Sequence, residues 1–251
     1  MEPQSVHEHF SDPRAVQHYA KAAASLGLWV SEERVFQSIF PKEATLLEVG
    51  CGAGRISIGL WELGYRHLLG IDFVREMVSE ARRLNKKLEY GVSFRHGDAT
   101  RLDLEDSLFD GAIFGFNGLM QIPGRENRRR AMSEIHRVLR PGGVFVFTTH
   151  DRANPRYREF WEAEKRRWEN GTMNPGLCEF GDRFYEAPIG CTFMHIPSQA
   201  EITLDLEATG WTGIESVHRS EVANEPADVR EFSDECRFWI ARRPDQADTP
   251  G

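Results

Sequence analysis

The chain has 251 residues, of which 40% are hydrophobic and 28% charged, and a formal charge of −8 from 31 basic and 39 acidic side chains. That length suits one large α/β domain with a sizeable core, so global disorder is excluded. An acidic chain gains nothing from displacing phosphate counterions, which disfavours nucleic acid as a partner.

Four cysteines (Cys51, Cys178, Cys191 and Cys236) are scattered with no C-x-x-C pair. This opposes a disulfide framework or zinc ribbon, leaves no expected metal site, and predicts a reducing, cytoplasmic setting. The N-terminal MEPQSVHEHFSDPRAV has no apolar h-region, and no run is apolar enough to span a membrane.

In chain order, residues 16–40 read as helical, with Val16, Tyr19, Ala20 and Ala23 at helical spacing and a second run from Glu32 to Phe40. A βα rhythm then begins: a strand over Thr45–Val49 and a helix over 55–63 capped by Gly64. Next come a strand over Leu68–Ile71 and a helix carrying Met77, Val78, Ala81 and Leu84 on one face. Strands follow over Val92–Arg95 and Phe109–Phe116. A helix over Arg125–Leu139 is stopped by Arg140-Pro141-Gly142-Gly143 ahead of a strand over Val144–Thr149. The run Arg128-Arg129-Arg130 is expected on that helix's solvated face.

Pro155–Trp168 reads as a helix with Tyr157, Phe160, Trp161 and Trp168 along one side, and 170–197 reads as irregular. Ser198–Glu201 forms a capping box for a helix ending at Gly210. Strands over Gly213–Val217 and Cys236–Ala241 complete a set of seven, the last antiparallel at the sheet margin. Apolar strands alternating with helices predict a doubly wound, mostly parallel sheet covered on both faces.

The stretch LLEVGCGAGR sets Gly50, Gly52 and Gly54 between the first strand and its helix. That loop belongs to the crevice at the C-terminal ends of the strands, where ligands bind in open parallel sheets. Glycine keeps side chains off the ligand's path, and the helix end presents N–H groups. The dinucleotide spacing G-x-G-x-x-G fails in both registers, because residues 55 and 57 are Arg55 and Ser57.

The spacing acid-x-G-x-G-x-G, with Glu48 as the acid, resembles the first motif of class I S-adenosylmethionine-dependent methyltransferases. Asp72 in GID, Asp98 in HGDAT, Asn117 in FGFNGLMQIP and LRPGG follow in that family's order, so the likeness covers residues 45–150 and weakens towards 243. It implies a Rossmann-like fold with S-adenosyl-L-methionine as cofactor. The glycine loop would meet its methionine end and Asp72 the two ribose hydroxyls. Phe73 would pack near the adenine, Asp98 would receive the adenine amino group, and the Ala99 N–H would meet a ring nitrogen. Asn117 would line the methionine moiety and the substrate mouth; many members carry Asp or Ser there. Glu48 either orders the loop or reaches the charged end of the cofactor. Tyr19 lies on a helix that folds over the cofactor in many members.

The implied organisation is one methyltransferase domain over residues 1–243. It comprises a helical cap (1–44), a cofactor core (45–150), a substrate or lid insertion (151–197) and a C-terminal helix with strands (198–243), followed by a frayed tail (244–251). The expected partner is a small-molecule methyl acceptor with some apolar surface, and the expected state a monomer or homodimer. His150, just past the fifth strand, and His195, before the capping box, are the candidate bases. An RNA or protein methyltransferase, or a module that binds the cofactor without catalysis, are the alternative readings.

Overall fold

The computed structural model describes residues 3–187 and 190–245, with side chains from 6 to 184 and from 192 to 245. Pro188, the Cys191 side chain and tail residues 246–251 lie outside the described residues. The strands are β1 (Thr45–Val49), β2 (His67–Asp72), β3 (Ser93–His96), β4 (Phe109–Phe114), β5 (Leu139–Thr149), β6 (Asp182–Ala187), β7 (Gly190–His195), β8 (Thr212–His218) and β9 (Arg237–Arg242). The helices are α1 (Pro3–Ser11), α2 (Pro13–Ser25), α3 (Val30–Ile39), α4 (Arg55–Glu62), α5 (Arg75–Lys87), α6 (Arg125–Val138), α7 (Arg158–Glu169), α8 (Gln199–Ala208), α9 (Arg219–Val222) and α10 (Ala227–Phe232).

Seven strands form one sheet in the order β3-β2-β1-β4-β5-β9-β8. β1 pairs in parallel with β2 and β4, and β9 runs antiparallel to both β5 and β8. Strand order reverses between β1 and β4, so the crevice of the switch point opens beside the glycine loop. An apolar core lies on each face. One packs around Leu47, Phe145 and Met132, the other around Leu46, Ile58 and Phe94. Burial on both faces explains why these strands read as continuous apolar runs.

The structure departs from the sequence-based expectation at several places. β9 is penultimate in the sheet, not marginal, because β8 covers its outer edge. With both faces covered, Trp239 is 3% exposed and its indole N–H donates to Thr149 Oγ1 at 2.9 Å. The Leu139–Gly143 segment is the bulged start of β5, with a register shift against β4 between Phe109 and Gly111. Part of the stretch expected to be irregular is the hairpin of β6 and β7, a separate two-stranded sheet. α1 was not anticipated; Asp12 caps the helix after it, accepting from the Arg14 N–H at 2.8 Å.

Arg128 is not a surface charge. It is 2% exposed and donates to both carboxylate oxygens of Glu179, at 2.9 and 3.1 Å, while Arg125 and Arg129 converge on Asp205 Oδ1 of α8. Within the run of residues 128–130, only Arg130 is exposed. Helical spacing turns the first arginine of the run towards the insertion instead of towards water.

The start of α4 is held by a second buried pair. Arg55 meets Glu32 of α3 through both guanidinium nitrogens at 2.6 Å, stacks over Trp29 at 4.5 Å and donates to the Gly27 carbonyl at 2.9 Å. Glu32 also accepts from the Trp29 N–H at 3.0 Å. Removing one member of such a pair strands the other in a water-poor site. Glu32→Ala is therefore expected to lower unfolding stability by about 3–5 kcal/mol in urea titrations. A loss below about 1 kcal/mol, typical of exposed pairs, would show that the pair does not anchor α3 to α4.

Candidate functional site

Two adjoining cavities open at the C-terminal ends of the strands. The first, about 250 Å³, is walled by the β1–α4 loop, the ends of β2 and β3, and residues of α1 and α2. Tyr19, Glu48, Gly50, Gly52, Asp72, Phe73, Asp98 and Ala99 all line it. Gly54 and Asn117, expected with them, do not.

The glycines divide by task. A Cβ at Gly50 would run into the Phe114 ring, and one at Gly54 would lie 2.8 Å from the Phe94 ring. Both adopt positive φ, +67° and +90°, so they are glycines because the chain turns left-handed against aromatic rings of the core. Only Gly52, at φ +52° with open space beyond its Cβ direction, keeps a side chain off the cavity. The crowding inferred from the sequence thus comes chiefly from the protein behind the loop.

Asp72 ties this loop to the next strand. Its Oδ2 accepts the Gly52 N–H at 2.7 Å and its Oδ1 the Val74 N–H at 2.8 Å. Burial pushes its carboxyl above the ordinary range, against the opposing pull of those two amides. A carboxylate offers about four acceptor positions, so two remain for a vicinal diol. Asp98 turns Oδ1 to the Thr100 N–H and hydroxyl, both at 2.8 Å. Phe73 stays 40% exposed, with His7 of α1 edge-on at 5.2 Å.

Glu48 sits beneath the loop at 5% exposure. Its Oε2 accepts the Ser57 N–H at 2.9 Å and the Ser57 hydroxyl, capping the first turn of α4. Burial pushes its carboxyl up to about 7, despite the Ser57 bonds and the Arg55 charge. Cys51 fills space inside the loop, 5% exposed, with its thiol pushed well above the ordinary value by burial.

The second cavity, about 310 Å³, shares Phe116, Gln121 and Phe232 with the first. Asn117 and His150 line it, with Tyr157 and Trp161 from the segment expected to face the substrate. Trp161 is buried, whereas Phe160 is 36% exposed, so that aromatic stripe is shared between packing and surface. His195 lies in neither lining. It is 2% exposed and its Nδ1 bonds Asp182 Oδ1 at 2.8 Å. Burial pushes the Asp182 carboxyl up, but His195 and the Cys178 and Glu179 amides outweigh it and hold it below the usual range. Glu179, Asp182 and His195 bring ligand-type atoms within 4.8 Å of one another, yet the Arg128 cation already occupies Glu179. His195 therefore serves the β6–β7 hairpin and stands apart from both cavities.

Sequence reasoning missed His7 and Phe10 of α1, Arg55, and Phe232 of α10 as wall residues, whereas Gln121 belongs to the FGFNGLMQIP segment expected at the substrate mouth. Arg55 follows the glycines directly and was within reach of a motif reading. Phe232 carries no local signal, since only the packing of α10 brings it to the site.

A doubly wound sheet with a ligand cavity at its switch point and two acids on successive strand ends defines a Rossmann-like cofactor-binding protein. Residues 46–143 match the family model described as a methyltransferase domain. A demethylmenaquinone methyltransferase of Leptospira interrogans is 37% identical over 117 residues, 45% of each chain. One from Staphylococcus epidermidis is 36% identical over 107 residues, 42% of each. The chain thus matches less than half the length of these curated relatives.

A S-adenosylmethionine-dependent methyltransferase structure from Methanosarcina mazei aligns with TM-score 0.65 at 20% identity, covering 84% of this chain and 98% of that one. The 1,6-didemethyltoxoflavin-N1-methyltransferase of Burkholderia thailandensis, solved with 1,6-didemethyltoxoflavin and S-adenosylhomocysteine, aligns with TM-score 0.62 at 18% identity over 98% and 92%. Residues 46–143 are thus similar to a methyltransferase domain, and the chain shares its fold with solved methyltransferases.

Because Glu48 titrates higher folded than unfolded, its stabilising share is complete below about pH 4.5 and is lost as pH rises through about 7. Glu48→Gln, which stays neutral, is expected to gain stability relative to wild type between pH 5 and pH 8 in urea unfolding. A difference independent of pH over that interval would remove the buried, raised carboxyl from the account.

Proposed function

We propose that this protein transfers the methyl group of S-adenosyl-L-methionine to a small-molecule acceptor, with the cofactor in the first cavity and the acceptor in the second. The observation that carries the reading is the shared wall. Phe116, Gln121 and Phe232 belong to both cavities, so ligands filling the two meet there. The residues fit the cofactor: Asp72 keeps acceptor positions for a ribose, Asp98 Oδ2 has no partner among the described residues, and Gly52 leaves room for a ligand against main chain. When bound, the sulfonium supplies an activated methyl carbon and a neutral thioether leaving group.

The chain's own part is positioning. Asp72 and Phe73 hold the adenosyl end, Asp98 and the Ala99 N–H read the base, and Glu48 fixes the loop through Ser57. The wall of Phe116 and Phe232 keeps water from the meeting point. Alignment of donor and acceptor can supply about 7–11 kcal/mol in well-oriented systems. Net charge −8 supports a small molecule over nucleic acid. The aromatic lining of the second cavity supports an acceptor with a planar ring, as the quinone and toxoflavin relatives' names indicate for those proteins. Residues 151–197 supply Tyr157 and Trp161 to that wall, which supports their role as the substrate-facing insertion. Cys51 and Cys236 are buried and outside any disulfide, which supports a reducing, cytoplasmic setting. No helix among the described residues is long and apolar enough to cross a membrane.

Thermal-shift titration with S-adenosylmethionine, S-adenosylhomocysteine and NAD tests the cofactor. The two adenosyl ligands are expected to raise the melting temperature and NAD to leave it unchanged. Asp72→Ala is expected to weaken both adenosyl ligands at least tenfold in calorimetric titration. A shift with NAD alone, or wild-type affinity in the variant, would overturn this placement.

A further inference from the structure

Asn117 and His150 belong to a hydrogen-bonded line that ends on a main-chain carbonyl. His150 Nδ1 lies 2.9 Å from the Glu235 carbonyl oxygen, and His150 Nε2 lies 3.2 Å from Asn117 Nδ2. A carbonyl can only accept, so His150 must donate from Nδ1. A neutral imidazole that donates from Nδ1 offers a lone pair at Nε2. The Asn117 amide therefore gives an N–H to Nε2, and its orientation is settled: Oδ1 faces away from the histidine. Asn117 is 3% exposed, and Oδ1 has no hydrogen-bond partner. Buried polar atoms left unpaired cost roughly 1–3 kcal/mol, and native structures keep few of them.

The backbone under this amide is fixed as well. The Asn117 N–H donates to Thr148 Oγ1 at 2.9 Å, and its φ of +59° lies in the left-handed region. Burial pushes the His150 pKa down, which keeps the ring neutral and the line in one polarity.

We infer that Asn117 Oδ1 is the acceptor-recognition atom of the second cavity, held there by His150 and the Glu235 carbonyl, and that the methyl acceptor is a ring compound carrying an N–H or O–H. Asn117 and the donor group on the acceptor complete a line in which every member donates in the same direction. His150 is a positioning residue in this arrangement, because its free lone pair is spent on Asn117. A ligand offering only lone pairs at that point would oppose Oδ1 and be rejected, by the same asymmetry that lets polar sites reject analogues lacking a donor.

The inference rests on the two-cavity reading above, and the experiment separates the two. Long-range ¹H–¹⁵N spectra of ¹⁵N-histidine protein at pH 7.5, with and without S-adenosylhomocysteine, report the His150 tautomer, with His150→Gln to assign the signal. The expected state is Nδ1 protonated and Nε2 bare. In Asn117→Asp, a residue that tolerates positive φ, the carboxylate can only accept. Both His150 nitrogens are then expected to carry protons. An Nε2–H tautomer in the wild type, or an unchanged signal in Asn117→Asp, would overturn the line's polarity.

Binding to the S-adenosylhomocysteine complex is then compared for 1-naphthol against 1-fluoronaphthalene and for indole against indene. At least one donor-bearing probe is expected to bind tenfold or more tightly than its mate, with the preference lost in Asn117→Leu. Equal binding within both pairs, or no binding by any probe, would sink the assigned substrate class. Loss of S-adenosylhomocysteine binding with the tautomer intact would instead count against the function proposed above and leave the line standing.

Discussion

Asp72 accepts one amide from the glycine loop and one from the chain that leaves β2, and those two bonds join separate strand ends into a single rim. Everything on the first cavity's floor depends on that tie. The loop after β1 turns through three left-handed glycines, and its internal bond, from the Gly54 N–H to the Cys51 carbonyl at 2.8 Å, does not by itself fix the path of so permissive a stretch. Asp72 chooses it from the next strand, and Glu48 chooses it from below through Ser57. Each carboxylate leaves water to do this. The cost is visible in the upward push on both carboxyls, and the amide donors offset part of it.

The helical cap is attached by a different kind of force. α3 meets α4 through the Glu32–Arg55 pair, with Trp29 stacked on the guanidinium, and the first N–H groups of α3 are taken by Glu225 from far along the chain at 2.8 and 3.1 Å. A purely apolar contact would tolerate sliding. A two-pronged ion pair with an aromatic lid does not, because each lost bond leaves a buried charge uncompensated. The cap is thus tied down over a cavity wall that includes Arg55 itself.

The local parts of this design were legible in the sequence and the long-range parts were not. Apolar runs and their helical partners marked β1 to β5, and acids at the ends of β2 and just past β3 marked the rim, because period and position are local properties. The hairpin of β6 and β7 was hidden by Gly171, Gly176, Gly181 and Pro188, which read as loop in any window. Arg128 looked solvated because a charge run shows no sign of a distant Glu179. Gly54 looked like a ligand contact, and Gly50, which does line the cavity, lacks a Cβ because of Phe114; sequence cannot tell a ligand from a core ring as the reason for a missing Cβ. His195 had the right chemistry and the wrong address, since its partner Asp182 lies on the hairpin that was not foreseen.

The junction of the two cavities holds two neighbouring residues in an unrelaxed backbone conformation. Phe116 and Asn117 are consecutive non-glycine residues at φ +50° and +59°, a conformation costing on the order of 1–3 kcal/mol per residue. The surroundings over-determine it. Phe116 packs against Tyr19, Trp29 and Phe232 at centroid distances of 6.1, 5.7 and 5.3 Å, and Thr148 holds the Asn117 amide. A relaxed turn there would swing the Phe116 ring out of the shared wall and carry the Asn117 amide away from His150. The same two residues that bear the strain therefore carry the boundary between the cavities and the hydrogen-bonding edge of the second. Among the described residues the other non-glycine positions at positive φ, Glu89 and Ser107, line neither cavity, so on the cavity-bearing edge of the sheet this strain falls on the step at the junction.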